Sequence, residues 1–326
     1  MPLRKGEGKG LWQTGGMPPP LIVLVGPTAT GKSGLAVDLA LTLAEGGQPA
    51  EVVNADSMLV YRGMDIGTAK PTVDERRGVP HHLIDIAEVT ERASVAEFQD
   101  LARGVIADLR SRGVVPILVG GSALYPRAIT DRFEFPGSDE EVRARWQAEL
   151  DRIGPHALHR ILAERAPESA TKIEPGNGRR TVRALEVLEL TGGHAPHIPE
   201  WTYELDDVHQ FGLSLEREEL DRRIDQRVEQ MWQQGLVDEV RGLLDRGLRD
   251  GQTAVRAIGY RQVVAFLDGE VTEGDAKAEV QRATRKFFRR QLSWYRRDPR
   301  ITWLDAAQPG AADEILTRLD LKLRRS

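Results

Sequence analysis

Residues 21–33 read Leu21-Ile22-Val23-Leu24-Val25-Gly26-Pro27-Thr28-Ala29-Thr30-Gly31-Lys32-Ser33, and the fold turns on how this stretch is read. The apolar run Leu21–Val25 has the make-up of a buried strand, and it is followed at once by the spacing G-x-x-x-x-G-K-S, which opens an apolar-periodic segment. That order of strand, Gly-rich turn and helix describes a phosphate-binding loop. Gly26 and Gly31 let the backbone curl so that successive N–H groups point inward at phosphate oxygens. Lys32 adds a compact positive charge, Ser33 offers a hydroxyl to a magnesium ion, and the helix that begins there adds the positive end of its dipole. Gly26, Pro27, Thr28, Ala29, Thr30, Gly31, Lys32 and Ser33 are therefore the expected phosphate or diphosphate cradle. A chance Gly-rich turn would need neither the lysine nor the serine.

Composition narrows the function classes. The 326 residues suffice for one large or two ordinary domains with a sizeable core. With no cysteine there is no disulfide, no thiolate catalysis and no cysteine-zinc site, which suits a reducing cytoplasm. No apolar run reaches the length of a membrane span, and residues 1–20 lack the apolar centre of a secretion signal, so a cytoplasmic protein without membrane contact is expected. A formal net charge of -5 argues against a protein that coats nucleic acid, and leaves room for a local basic surface.

Along the chain, residues 1–20 combine Lys, Gly, Trp12 and Pro18-Pro19-Pro20, and are expected to form a disordered leader; Met17 is a candidate start. Leu35, Leu39, Ala40 and Leu43 recur at helical spacing up to Gly46-Gly47. Val52-Val53 makes a second strand, ending in Asn54-Ala55-Asp56-Ser57. In a doubly wound sheet ligands sit beyond the carboxyl ends of the strands, so Asp56 either faces the phosphates or caps a helix. Paired His81 and His82 point to opposite faces of an extended chain, which favours a loop or a hydrogen-bonding role over a metal site. Val114–Val119 reads as a strand ending in Gly120-Gly121-Ser122, where many nucleotide hydrolases carry a magnesium-holding acid.

From Ser138 the character changes to helices without strands. Ser138 and Glu141 have the spacing of a capping box before a helix to about Ile153; a second helix is expected near His156–Arg165, and a third after Asn177, ended by Gly192-Gly193. The arginines at the start of that third helix are either a solvated face or a phosphate-backbone contact. The expected organisation is an α/β core, residues 21–136 and 200–326, with a parallel sheet of the P-loop NTPase kind and an α-helical insertion at 137–199. After the strand at 209–215, residues 217–231 form an amphipathic helix whose basic edge, Arg217, Arg223 and Arg227, faces back toward the sheet's ligand end in a doubly wound fold. Residues 282–300 interleave arginines with Phe287, Phe288, Trp294 and Tyr295, and Asp298 is the sole acid among them, which points to a surface facing a polyanion.

These blocks carry a family likeness. Gly26–Ser33, Asn54–Ser57 with Tyr61–Pro71, Pro80–Asp85, Val119–Tyr125, Arg179–Val187, Arg256–Gln262 and Arg289–Trp294 resemble the bacterial tRNA dimethylallyltransferases over roughly residues 21–305. The resemblance implies transfer of a dimethylallyl group from dimethylallyl diphosphate to N6 of adenosine 37, beside the anticodon of tRNAs reading codons that begin with U. It implies Mg2+ as cofactor, a tRNA anticodon stem-loop as partner, and a monomer. It also implies roles: Asp56 as general base or orienting acceptor; Thr28, Lys32 and Arg217 or Arg223 on the diphosphate; Ser33 on the metal. The block Asp56, Ser57, Met58, Leu59, with Ser122, Arg143, Arg179, Arg180, Thr181, Val182, Arg183, Arg256, Gly259, Tyr260 and Arg261, looks like tRNA-contacting sequence. The target base would be drawn from its stack into a channel between core and insertion. Two positions depart from the pattern: Leu59 stands where Gln is frequent, and Pro126 follows Leu124-Tyr125, where it could displace the next helix. A small-molecule or nucleotide kinase fits residues 21–33 equally well but leaves 282–300 without a purpose, and a noncatalytic nucleotide-sensing RNA binder would leave Asp56 without one.

Overall fold

The computed structural model describes residues 18–133, 135–192 and 201–323. Of the expected leader 1–20, residues 1–17, Met17 among them, lie outside the described residues, as does the expected stop at Gly193; its last residues need correction, since Pro19 and Pro20 are buried directly before Leu21. Two compact units result, one made of the chain up to Asp131 and from Tyr203 onward, the other of Arg132–Thr202.

The first unit is built on β1 (Leu21–Val25), α1 (Lys32–Glu45), β2 (Ala50–Asn54), α2 (Val73–Arg76), β3 (His81–His82), α3 (Val95–Ser111), β4 (Val115–Gly120) and α4 (Leu124–Thr130). The second contains α5 (Glu140–Ile153), α6 (Pro155–Arg165), α7 (Pro167–Ala170) and α8 (Gly178–Leu190). The chain then returns as β5 (Val208–Ser214), α9 (Arg217–Gln233), α10 (Leu236–Asp245), α11 (Tyr260–Leu267), α12 (Glu273–Tyr295), β6 (Thr302–Asp305) and α13 (Ala311–Leu323).

The six strands form one sheet in the order β3-β2-β4-β1-β5-β6, and every pairing is parallel. Parallel strands need helical crossovers, and these bury both faces of the sheet. Strand β1 shows the consequence: Leu21, Val23 and Val25 join one buried cluster, while Ile22 and Leu24 join the other with Ala36, Leu39 and Leu43 of α1. The register pairs Val25 with both Gly120 and Gly212, and Asn54 with Val119, so β1, β2, β4 and β5 end side by side. The site is assembled along that carboxyl edge.

Some local expectations need correction. His81 and His82 form the edge strand β3, not a loop; His82 Nε2 meets Glu51 at 2.6 Å and His81 Nδ1 meets the Val79 carbonyl at 2.8 Å. Two polar residues leave no alternation to detect, and the four-residue β6 was equally silent. Helix α5 is capped by Asp139, which accepts the Val142 N–H at 3.0 Å; Ser138 instead donates to Glu186 at 3.1 Å, so the Ser138–Glu141 box does not form. Pro126 does not displace α4, because as the third helical residue it owes no intrahelical N–H. Asn177 caps α8 as expected, accepting the Arg180 N–H at 3.3 Å. The second unit has its own apolar core of Trp146, Leu158, Leu162, Ala170, Val182 and Leu185.

Candidate functional site

The loop between β1 and α1 is shaped for an anion. Gly26 stands at φ +143°, and a Cβ there would lie 2.8 Å from the Leu213 carbonyl oxygen, so no larger residue fits against β5. Gly31 caps α1 in the left-handed region at φ +86°, and no acid occupies the helix's first turn, so its positive end meets the loop unneutralised. The Thr30 hydroxyl and the Lys32 ammonium both donate to the Pro27 carbonyl, at 2.9 and 2.6 Å. These bonds draw Lys32 across the mouth of the loop. Burial pulls its proton affinity down from 10.5 to about 8; Asp56 resists the fall and the like charge of Arg227 adds to it. Thr28 and Ala29 are half-buried in the loop, and Ser33 is exposed on the first turn of α1.

Asp56 is pinned opposite. Asn54, the last residue of β2, accepts the Asp56 N–H at 2.7 Å and donates its amide to the carbonyls of Asp56 (3.0 Å) and Leu83 (2.9 Å). Asp56 Oδ1 accepts the Met58 N–H at 2.9 Å, an Asx turn that leaves Oδ2 without a hydrogen bond among the described residues. A Cβ on Gly121 would lie 3.4 Å from that Oδ2, 3.5 Å from Gln291 Nε2 and 3.9 Å from Lys32 Nζ. Carboxylate, amide and ammonium therefore converge on bare backbone where β4 ends. This is why glycines stand at the position of the missing acid.

Three contributors were not picked out from the sequence. Gln291 of α12 is buried and donates to the Gly121 carbonyl, while its buried Oε1 has no partner among the described residues. Tyr295, one helical turn on, is buried with its hydroxyl 3.4 Å from the Gly120 carbonyl; burial and Asp56 raise its hydroxyl well above the ordinary value. Arg227 of α9 donates to the Thr68 carbonyl at 3.3 Å and keeps a buried Nε that has no partner among the described residues; burial lowers its proton affinity, with Asp56 and Glu75 acting against. The α9 spacing puts Arg227 on the basic edge expected to face the sheet's ligand end, and its bond to the Thr68 carbonyl agrees with that side; the resemblance gives the role of a site residue to Arg217 or Arg223 instead. Arg223 lines a cavity of about 350 Å³ beside Thr30 and Gly31 and is tied to Glu219 at 2.7 Å. Arg217 is exposed at the first turn of α9.

The other named residues fall into two sets. In the first unit, Ser57, Met58, Leu59 and Ser122 are half-buried at the carboxyl edge, and Arg256 and Arg261 are exposed. Gly259 and Tyr260 are buried, and the Tyr260 hydroxyl donates to Glu239 at 2.6 Å. In the second unit Arg179 and Arg180 are exposed, whereas Thr181 and Val182 are buried. Arg143 and Arg183 both pair with Glu186, at 2.8 and 3.1 Å, and that carboxylate is fully buried. On α12, Lys286, Arg289 and Arg290 are exposed, as are Arg296 and Arg297 just past its end, while Phe288 and Tyr295 are buried, which separates charge from these aromatics as the spacing predicts.

No group of three or more acidic or histidine ligands suited to a metal occurs among the described residues. A hard divalent cation fits here in one way, held by the Ser33 hydroxyl, which makes no hydrogen bond among the described residues, together with oxygens brought by the substrate. No helix of the described residues is long and apolar enough to cross a membrane.

A parallel sheet whose central strand feeds an anion loop, faced by a carboxylate from the end of β2 across the intervening β4, defines a P-loop α/β protein built for chemistry on a phosphorylated substrate. The IPP transferase family pattern matches residues 59–298, and the chain belongs to that family. Among its relatives, the tRNA dimethylallyltransferase of Kineococcus radiotolerans is 58% identical over 307 residues, 93% of this chain and 96% of that one. That of Thermobifida fusca is 58% identical over 294 residues, covering 90% and 92%. The crystal structure of the tRNA isopentenylpyrophosphate transferase from Bacillus halodurans superposes with a TM-score of 0.69 at 42% identity, covering 94% of this chain and 97% of that chain. A eukaryotic dimethylallyltransferase acting on tRNA superposes with a TM-score of 0.74 at 26% identity, over 91% of this chain and 77% of that chain. These likenesses favour a prenyl transferase over a kinase.

Proposed function

We propose that this chain transfers the dimethylallyl group of dimethylallyl diphosphate to N6 of adenosine 37 in tRNAs reading codons that begin with U. The observation that carries the reading is the convergence of an unengaged carboxylate oxygen, Asp56 Oδ2, and the Lys32 ammonium on Gly121, where a nucleotide hydrolase would need an acid. The diphosphate lies in the loop 26–33 against its N–H groups and Lys32, with Thr28 and Arg223 as further contacts; Arg217, exposed at the start of α9, is the outer alternative. The Ser33 hydroxyl would hold a magnesium ion, which would supply charge neutralisation to the leaving diphosphate.

The adenine amino nitrogen attacks the allylic carbon of the donor, a C–N bond forms, and the C–O bond to the diphosphate breaks with its electron pair leaving on oxygen. The amino proton passes to Asp56 Oδ2. The Oδ1 hydrogen bond to Met58 keeps that second oxygen aimed at the acceptor. The buried Tyr295 and Gln291 keep bulk water from the far side of this oxygen, which protects the donor from hydrolysis.

The tRNA anticodon stem-loop is held by Ser57, Met58, Leu59 and Ser122, by the exposed Arg256 and Arg261, and by Arg143, Arg179, Arg180 and Arg183 of the helical unit, whereas the buried Gly259, Tyr260, Thr181 and Val182 support these residues from behind. The protein works in the cytoplasm as a monomer. The test is mass spectrometry of nucleosides from unmodified tRNA incubated with protein, donor and magnesium. A prenylated adenosine at the anticodon loop is expected, and ATP-dependent phosphorylation of a small acceptor without it would overturn the reading.

A further inference from the structure

Between Asp56 and the helices that follow, residues 64–70 form a turn secured to an unusual degree. Glu239 of α10 is its main anchor: Oε2 accepts the N–H groups of Asp65 (3.0 Å) and Ile66 (2.7 Å), and Oε1 accepts those of Gly67 (3.1 Å) and the Tyr260 hydroxyl (2.6 Å). One carboxylate thus satisfies three successive backbone donors brought together only by the fold. The Tyr260 ring closes the arrangement, since a Cβ on Gly67 would lie 2.5 Å from it. From the opposite side Lys70 donates to the Tyr61 carbonyl at 2.8 Å and pairs with Asp65 and Asp85, at 2.6 and 2.5 Å.

What this clamp holds is the Thr68 carbonyl. The Thr68 hydroxyl donates to the Met64 carbonyl at 2.6 Å, and the Thr68 carbonyl accepts Arg227 at 3.3 Å. Arg227 lies in the field of both Asp56 and Lys32 and keeps a buried Nε donor unused. A guanidinium with spare donors beside an anion loop is suited to a diphosphate, provided that it is aimed.

We propose that Glu239, with Tyr260, is a positioning residue for diphosphate binding, acting through the 65–68 turn to hold Arg227 toward the anion loop. Nothing in the sequence spacing joins Glu239 to the loop 26–33. The link runs through backbone N–H groups, whose partners no motif encodes. The proposal rests on the transfer reading for its kinetics, but its physical core is anion binding and can be measured alone.

The experiment is a double-mutant cycle on the full-length protein with Glu239→Gln and Arg227→Ala, reading kcat/KM for dimethylallyl diphosphate, KM for tRNA, and the affinity for inorganic diphosphate with magnesium by calorimetry. Glu239→Gln sets an amide NH2 against N–H donors, and is expected to weaken diphosphate binding and donor kcat/KM on the order of tenfold while tRNA KM stays within about twofold. The double variant is expected to be no weaker than Arg227→Ala alone. Losses that multiply, or equal losses for donor and tRNA, overturn the proposal. If Glu239→Gln does not fold, Tyr260→Phe, which removes one bond to the same carboxylate, takes its place with the same required non-additivity. A wild-type protein that binds diphosphate but transfers nothing sinks the transfer reading and leaves the calorimetric cycle to decide this one.

Discussion

Lys32 gives the sharpest quantitative expectation. Its ammonium is what the loop offers a diphosphate as a full charge, and burial brings its pKa down from 10.5 to about 8. At pH 7 about nine-tenths of the free enzyme carries the charge and at pH 9 about one-tenth, so kcat/KM for the prenyl donor should fall about tenfold across that interval. Bound diphosphate favours the ammonium, so the corresponding limb of kcat lies higher. Two variants move the limb in opposite directions. Asp56 supports the lysine proton and Arg227 opposes it, so Asp56→Asn should shift the limb below 8 and Arg227→Ala should shift it above. The assay is initial-rate prenyl transfer at saturating tRNA and limiting donor from pH 6.5 to 9.5, with each variant normalised to its own plateau. An alkaline limb missing below pH 9.5, or displaced the same way by both variants, would refute the placement of the three groups in one electrostatic neighbourhood. The same titration bears on stability: between about pH 8 and 10.5 the unfolded chain binds the proton that the folded one has released, so this lysine's contribution makes folding more favourable as pH rises through that window.

Asp56→Ala should lower transfer by at least about a hundredfold with tRNA affinity nearly unchanged, as expected for lost acid–base assistance; a matching loss of affinity by filter binding would remove that role. Gly120→Ala puts a Cβ 2.7 Å from the Ala55 carbonyl oxygen and from Pro126 Cγ, and should destabilise by about 1–3 kcal/mol, read by denaturant unfolding. The fully buried Asp131 pairs with Arg127 and Arg300, both at 3.0 Å, and Arg300 also pairs with Asp298 at 2.7 Å, so Asp131→Ala should cost about 3–5 kcal/mol by removing one carboxylate of a buried ion-pair network, and an unchanged midpoint would contradict this. Binding of tRNA should weaken steeply with salt, and neutralising Arg289 and Arg290 together should flatten that slope if the exposed row on α12 meets phosphates.

Much of this protein was legible in one dimension because the interactions concerned are local. Strand β1, the anion loop and the first turn of α1 are adjacent in sequence, and their residue types follow from backbone geometry and from the need to leave N–H groups bare for a phosphate. The helical stretch after residue 137, the Asn177 cap and the buried face of α9 are likewise consequences of short-range periodicity. The misread cap has a non-local cause: the Ser138–Glu141 box failed because Glu186, 48 residues on from Ser138, takes up the serine.

The tertiary structure decided which distant groups share the site. Arg227 rather than Arg217 faces Asp56, Gln291 reaches Gly121 from a helix 170 residues later, and Glu239 takes up N–H groups 172 to 174 residues earlier in the chain. Such pairings arise where unrelated segments happen to end on the same edge of a parallel sheet. A side chain satisfying a distant backbone donor obeys no spacing rule, because what selects it is the desolvation cost of leaving that donor unpaired inside the folded protein.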